Sequence, residues 1–462
     1  MDRITLNDDD SLRHRTRFVG GTYRWRRDPG SGHRPSWRRL AVAVAGAGLA
    51  LAACSSTPAT HASATQAAIT SFSLWESHNG GPVGGAMSAL VAKFDATHRS
   101  VQVSIDVTKA SKKLLAATAA GNPPVLAEIS HYDGQYVAGH ALVSWNSFLK
   151  GNSELNGNSV VPSVWKNGEV NGQHYRLLAD AKVSIVDYNK ALFQQAGITA
   201  PPTTWAQMAA DANKLKQLGN GIIPIGWKDS SAHILPAFMS NGGTMLQGSN
   251  SVGRAVDFNT AAGVQTFSAF RNLYASGDLT IDHGTTLRED LAAGKMAMID
   301  GTSAGYQKTL DAVGGKFPVG AFVEPGGSTG HAYNMVQGLG FVLPKGHSHA
   351  QDEAAWTFVQ WWFQPAQQVY WAEHTGYAPE TMAGIAAVPT SFLSTHPGQA
   401  ASIQAVKSPY TYPRPVSDSY KEVQAALDAT FLNVVQGKQA VAPALHALDQ
   451  QGNGYMTNAS EL

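Results

Sequence analysis

From position 69 onward, apolar and polar residues repeat with two distinct periods. Residues 69–76 (ITSFSLWE) alternate, which predicts a strand. In 82–95, Ala86, Leu90, Val91 and Phe94 recur at the spacing of one helix face. Residues 101–107 (VQVSIDV) alternate again. Residues 112–120 form an Ala/Leu-rich helix that stops at Gly121-Asn122-Pro123-Pro124, and 125–129 read as a third strand. Strand, helix, strand, helix, strand is the pattern of an open parallel sheet with covering helices.

The loop-rich stretch 144–173 interrupts this pattern. Strands are expected at 174–178 and 183–189, then a helix at 190–196 ended by Gly197. The next helix, 205–217, is capped by a hydroxyl of the Thr203-Thr204 pair, and a short strand follows at 222–227. The middle then reads as mostly helical (233–240, 260–276, 290–294). Strands return at 295–300, 317–322 and 338–343, with a helix at 304–313. Helices are expected at 353–363 and 365–374, and from about 416 the tail is helical and amphipathic. A chain of 462 residues is too long for one ordinary core. The fold class is therefore α/β, with two lobes between which the chain crosses more than once. Residues 68–180 begin the first lobe. Residues 181–345 form mainly the second, with crossing segments, and 346–462 contribute helices to both.

Charge changes the picture only at the N-terminus. Lys and Arg number 34 against 33 Asp and Glu, so a net charge of +1 gives no reason to expect nucleic acid as a partner. Residues 1–39 are polar and basic and end in Trp37-Arg38-Arg39. Residues 40–53 are apolar and small, and Leu51-Ala52-Ala53-Cys54-Ser55 follows. This is the layout of a signal segment spanning 1–54. Its apolar run is shorter than the roughly 20 residues a bilayer span needs. Residues 55–67 (SSTPATHASATQA) read as a flexible tether. Cys54 is the only cysteine, which excludes an intrachain disulfide and a cysteine-based zinc or redox site.

The Leu-Ala-Ala-Cys box resembles the bacterial lipobox. That resemblance implies a diacylglycerol on the Cys54 thiol, making Cys54 the mature N-terminus and the membrane anchor. An ordinary signal peptide is the plainer reading. Arg38-Arg39 keeps twin-arginine export open beside the general route.

Five further motifs stand in order behind this box. They are Val186-Asp187-Tyr188-Asn189-Lys190-Ala191-Leu192-Phe193; Ala196-Gly197-Ile198 through Pro201-Pro202-Thr203-Thr204-Trp205; Leu291-Ala292-Ala293-Gly294-Lys295-Met296-Ala297-Met298; Trp362-Phe363-Gln364-Pro365-Ala366-Gln367-Gln368; and His374-Thr375-Gly376-Tyr377-Ala378-Pro379. Together they resemble family 1 extracellular solute-binding proteins of bacterial ABC importers, over about 70–445. Gln207-Met208 stands where that family usually has Glu-Leu. The resemblance is nearest to the glycerol-3-phosphate-binding branch, whose neighbours take oligosaccharides. It implies a two-lobed, type II-like periplasmic-binding-protein fold. A hinge closes the lobes over a small solute, and the closed monomer docks on a membrane permease. No cofactor is implied.

Candidate contacts come from two sources. Ligands of open α/β sheets sit off the carboxyl ends of strands. That rule selects Trp75, Glu76 and His78 after the first strand, and His131 and Asp133 after the third. A buried Trp with solvated polar neighbours is the alternative. The resemblance adds Asp180, with Lys182 beside it; Trp227 as a cleft aromatic; Ser303 at a helix start that also serves as a plain N-cap; and Tyr377. Gly338 lets a backbone approach closely. The glycerol-phosphate branch carries an Arg that aligns opposite Val416, two residues from Arg414. This offset leaves a glycerophosphodiester or an uncharged saccharide open alongside glycerol phosphate.

No nucleophile elbow, phosphate loop or HExxH occurs in the sequence. His347 and His349 are at most a weak metal motif, so no metal site is expected. Glu289-Asp290 suits a charged helix start better than a glycosidase pair. The expectation is a binding protein. The alternatives are an anchored glycoside hydrolase or lyase, and an envelope scaffold that binds no solute.

Overall fold

A computed structural model describes residues 69–457 except 79, 131–132, 248–254 and 418. The signal segment, the tether and Cys54 lie outside the described residues. The chain opens with β1 (Thr70–Glu76), β2 (Val101–Val107), β3 (Leu126–Ile129), β4 (Leu142–Val143) and β5 (Arg176–Leu178). It crosses over to β6 (Ser184–Asn189), β7 (Ile223–Lys228), β8 (Leu279–Asp282), β9 (Met296–Thr302) and β10 (Val319–Val323). It returns through β11 (Asn334–Val336) to β12 (Gly340–Pro344) and crosses again through β13 (Thr411–Pro413).

Two sheets result. The first has the order β2-β1-β3-β12-β4, with β5 also paired to β12. β1 runs parallel to β2 and β3, while β12 is antiparallel to β3 because it arrives from the other lobe. The second has the order β8-β7-β9-β6-β10. There β7, β8 and β9 are parallel and β6 is antiparallel to β9 and β10. Both sheets are covered by helices, so their central strands are buried on both faces.

Each lobe has its own core. Phe72 and Leu74 of β1 pack with Phe94, Phe341 and Phe358 in the first. In the second, Trp227, Phe267 and Phe270 pack with Phe431. Each such side chain contributes about 1.5–3 kcal/mol of burial. Phe358 belongs to the C-terminal helix His349–Trp362 and Phe431 to the helix Tyr420–Val435, so the C-terminal region serves both lobes.

Local chemistry sets the helix starts. The Asn189 side chain accepts from the Ala191 and Leu192 amides, and Thr204 accepts from Gln207, so both helices begin where the sequence places them. The helix expected at 353 begins at His349, because Ser348 and Gln351 form a reciprocal capping box. The middle of the chain carries the expected helices, at Leu235–Ser240, Ala261–Ala275 and Gly284–Ala292, and in addition the strand β8. β8 sits at the sheet edge, where Thr280, Ile281 and Asp282 stay half-exposed, and its alternation (LTID) runs for only four residues, too short to stand out in the sequence.

Candidate functional site

The lobes are joined by extended chain, and the polar chemistry collects there. Between β5 and β6, residues 179–183 are held on both sides. The Ala179 amide donates to the Leu339 carbonyl (3.0 Å), and Lys182 and Gln337 exchange backbone bonds at 2.9 Å each way. Ala378 donates to the Ala181 carbonyl at 2.7 Å. The Ala181 amide also donates to the buried Glu380 carboxylate at 3.1 Å. Gly338 fits this crossing because it lacks a side chain: a Cβ there would sit 1.9 Å from the Asp180 carbonyl oxygen.

Asp180, projecting from this crossing, meets His78 from the loop after β1. His78 Nε2 and Asp180 Oδ2 form an ion pair at 2.8 Å, and Glu128 Oε2 of β3 lies 3.9 Å from the same nitrogen. Glu76 closes the ring from behind, accepting from the His78 amide at 2.6 Å. Glu76, Glu128 and Asp180 are all buried. Burial disfavours the charged imidazole, but Asp180, Glu128 and Glu76 outweigh it and raise the His78 pKa to about 9. His78 is therefore an imidazolium at neutral pH. Burial pushes the Glu128 carboxyl up to about 8 against the pull of His78. Aromatic rings wall the cluster. Tyr377 meets His78 edge-on at 6.0 Å and lies parallel to Trp371 at 6.0 Å and 13°. Burial, then Asp180 and Glu128, raise the Tyr377 phenol well above its usual range, so it stays a neutral donor.

The opposite charge lies two residues along the crossing. Burial, and then the Arg414 guanidinium, push the Lys182 ammonium down to about 8 against the pull of Asp180. Arg414 donates to Gln337 Oε1 and sits 5.7 Å over the Tyr420 ring. The crossing thus carries an acidic end at Asp180 and a basic end at Lys182 and Arg414. Beside it runs a groove of about 650 Å³ lined by Lys166, Met239, Tyr333, Tyr412 and the two prolines that flank Arg414. Tyr333 and Tyr412 stack in it at 5.6 Å and 8°.

The structure brings Glu76, His78, Asp180, Gly338, Tyr377 and Arg414 to this junction. Ser303 is also near, but its hydroxyl accepts from the Val183 amide (3.4 Å), so it pins the crossing strand. Trp75 is half-buried beside Ala110, Leu114 and Ile129. Trp227 goes elsewhere. It is wholly buried, its indole N–H donates to the His233 carbonyl at 2.9 Å, and its ring packs on Trp205 and Phe270. The ring belongs to the second core and not to a cleft wall. His131 lies outside the described residues, and Asp133 enters only through its backbone, which opens a short helix. The sequence reading missed Glu128, Glu380, Tyr333 and Tyr412. Glu128 did leave a signal, as a lone acid inside the apolar run VLAEI.

The family profile of bacterial extracellular solute-binding proteins matches residues 89–401. The chain belongs to this family. Among relatives of this solute-binding protein, the sn-glycerol-3-phosphate-binding periplasmic protein UgpB of Pectobacterium atrosepticum is 23% identical over 445 residues, covering 86% of this chain and 96% of its own. Among solved structures, the cyclic alpha-maltosyl-1,6-maltose binding protein of Arthrobacter globiformis superposes with a TM-score of 0.74 at 22% identity, over 85% of this chain and 100% of its own. UgpB of Mycobacterium tuberculosis, in complex with glycerophosphocholine, gives 0.70 at 18% identity, over 84% and 98%. These neighbours share the two-lobed fold. Among the described residues no helix is long and apolar enough to cross a membrane.

Proposed function

We propose that this solute-binding protein is the capture component of an ABC importer, tethered to the membrane by a diacylglycerol on Cys54, and that its solute is a glycerophosphodiester. The observation that carries this reading is the bipolar crossing. Three carboxylates around His78 suit solute hydroxyls, and Lys182 with Arg414, two residues from Asp180, suit one phosphate charge. Proteins that bind glycerol-3-phosphate and glycerophosphocholine stand among its relatives and fold neighbours. A saccharide is the second reading, favoured by the stacked Tyr333 and Tyr412, which offer flat faces to sugar C–H groups.

Thermal unfolding with glycerol-3-phosphate, glycerophosphocholine, maltose and trehalose tests the choice, because a ligand of the native state alone raises the midpoint. The proposal expects the largest rise with glycerophosphocholine, and no cleavage of it. A rise with maltose alone favours the saccharide reading. Turnover of a saccharide would instead make the chain a glycoside hydrolase, which needs two carboxylates facing each other across the scissile bond; here Glu76, Glu128 and Asp180 crowd one imidazole. Absence of any response favours a scaffold. Mass spectrometry of the mature N-terminus, with Cys54→Ser released into the medium, tests the anchor.

A further inference from the structure

A second set of ionisable groups lies inside the second lobe. His233 follows β7, Asp300 is in β9, and Glu324 follows β10. Their exposures are 8%, 1% and 1%, and one donor atom from each lies within 4.8 Å of the others. His233 Nδ1 is 2.9 Å from Asp300 Oδ2. Register explains the convergence. Val186 pairs with Asp300 and with Phe322, so Ser184, Asp300 and Glu324 project from the same face of the sheet.

An independent observation points to a missing partner. Both carboxylate oxygens of Glu324 are buried without a well-formed hydrogen bond; among the described residues the Ser184 hydroxyl is the one side-chain donor beside them and can serve only one of the two oxygens. A buried carboxylate with an unpaired oxygen is costly. Lys228 does not fill the gap, since its ammonium lies 3.5 Å from His233 Nε2, on the other edge of the ring. Burial lowers the His233 pKa despite Asp300, with Lys228 and Lys182 lowering it further.

We infer that His233, Asp300 and Glu324, with the Ser184 hydroxyl, form a site for one divalent first-row transition-metal cation in the second lobe. An imidazole with two carboxylates is a mixed nitrogen–oxygen set suited to Mn²⁺ or Zn²⁺ and poor for Ca²⁺, which takes six to eight oxygens. Occupancy trades the Asp300–imidazole contact for metal bonds and gives both carboxylates a counter-charge. The first lobe also gathers Glu76, His78 and Glu128 within the same reach, but there the protonated His78 already supplies the positive charge. The inference is independent of which solute the protein carries.

Untagged protein is stripped with chelator, dialysed, and unfolded thermally with MnCl2, ZnCl2, CaCl2 or MgCl2. Calorimetry then gives the stoichiometry. The expected result is a raised midpoint with Mn²⁺ or Zn²⁺ at one ion per chain, and at least tenfold weaker binding in Glu324→Gln and Asp300→Asn. Glu324→Gln keeps the side-chain volume; if it does not fold, His233→Gln takes its place. Absence of a response to Mn²⁺ and Zn²⁺, or equal affinity in the folded variants, overturns the inference. So does loss of binding in Glu128→Gln with retention in Glu324→Gln.

Discussion

The side chains of His78 and His233 are both largely covered, both touch an aspartate at under 3 Å, and both have further carboxylates within reach, yet their pKa values shift in opposite directions. The His78 pKa is raised to about 9, whereas that of His233 is lowered. The difference lies in what else surrounds each ring. Around His78 stand Asp180, Glu128 and Glu76, enough negative charge to overcome desolvation. Around His233, Asp300 pulls one way while burial, Lys228 and Lys182 push the other. A histidine–aspartate contact alone does not fix the protonation state; the sum over neighbours does. The first cluster thereby suits hydroxyls and the second a cation.

The two regions also differ in how they are held, and the largest expected effect tests that. The second cluster hangs on Trp227, whose indole anchors the His233 carbonyl. Trp227→Ala should destabilise the protein by about 3–5 kcal/mol, the range for emptying a large core position, and remove metal binding. The folded fraction should still bind solute, measured by denaturant unfolding and calorimetry. A loss below about 1 kcal/mol would show that the ring is not core.

The next effect is that of His78→Gln, and it depends on pH. The folded pKa, about 9, lies above the ordinary imidazole value of about 6.5. The imidazolium therefore contributes stability that is fully present below pH 6.5 and lost as pH rises through 9. At 1.36 kcal/mol per unit, the variant should cost about 3 kcal/mol more at pH 6 than at pH 10. Glu128, also raised, titrates in the same direction, so the wild type should lose stability steadily across that window. An equal cost at both pH values would remove His78 as the charge carrier.

Asp180→Asn should act more gently. It keeps the shape but removes the strongest counter-charge, so the His78 pKa should fall by at least one unit, about 1.4 kcal/mol. Proton NMR of the His78 ring reads this directly, and an unmoved titration would assign the shift to Glu128.

The same comparison shows what the sequence carried. Alternation in VQVSIDV and the capping Thr203-Thr204 pair marked elements to within a residue or two, because period and capping are local. Glu76, Asp180, Tyr377 and Gly338 could be named because strand ends and family motifs mark them. Trp227 was misplaced because a tryptophan at a strand end looks the same whether its ring turns to solvent or to the core; the turn Ser231–His233 decides by offering a carbonyl to the indole. The cluster of His233, Asp300 and Glu324 was not legible, since only the register of three non-adjacent segments brings it together. Its one trace is an acid at the end of each apolar strand, in MAMID and AFVE.

The smallest effect completes the contrast by its sign. In metal-free protein the folded pKa of His233 lies below the ordinary imidazole value of about 6.5, so the neutral ring contributes stability that is present above pH 6.5 and lost as pH falls. His233→Gln should flatten stability on the acid side of 6.5 and leave the range from 6.5 to 9 untouched, the reverse of His78→Gln. Glu324 opposes it there: its raised pKa makes it a proton acceptor on folding, so its contribution grows as pH falls. Subtracting variant from wild type isolates the imidazole. A difference curve that bends above pH 6.5 would mean that His233 is charged in the folded protein, and the two clusters would then be the same device.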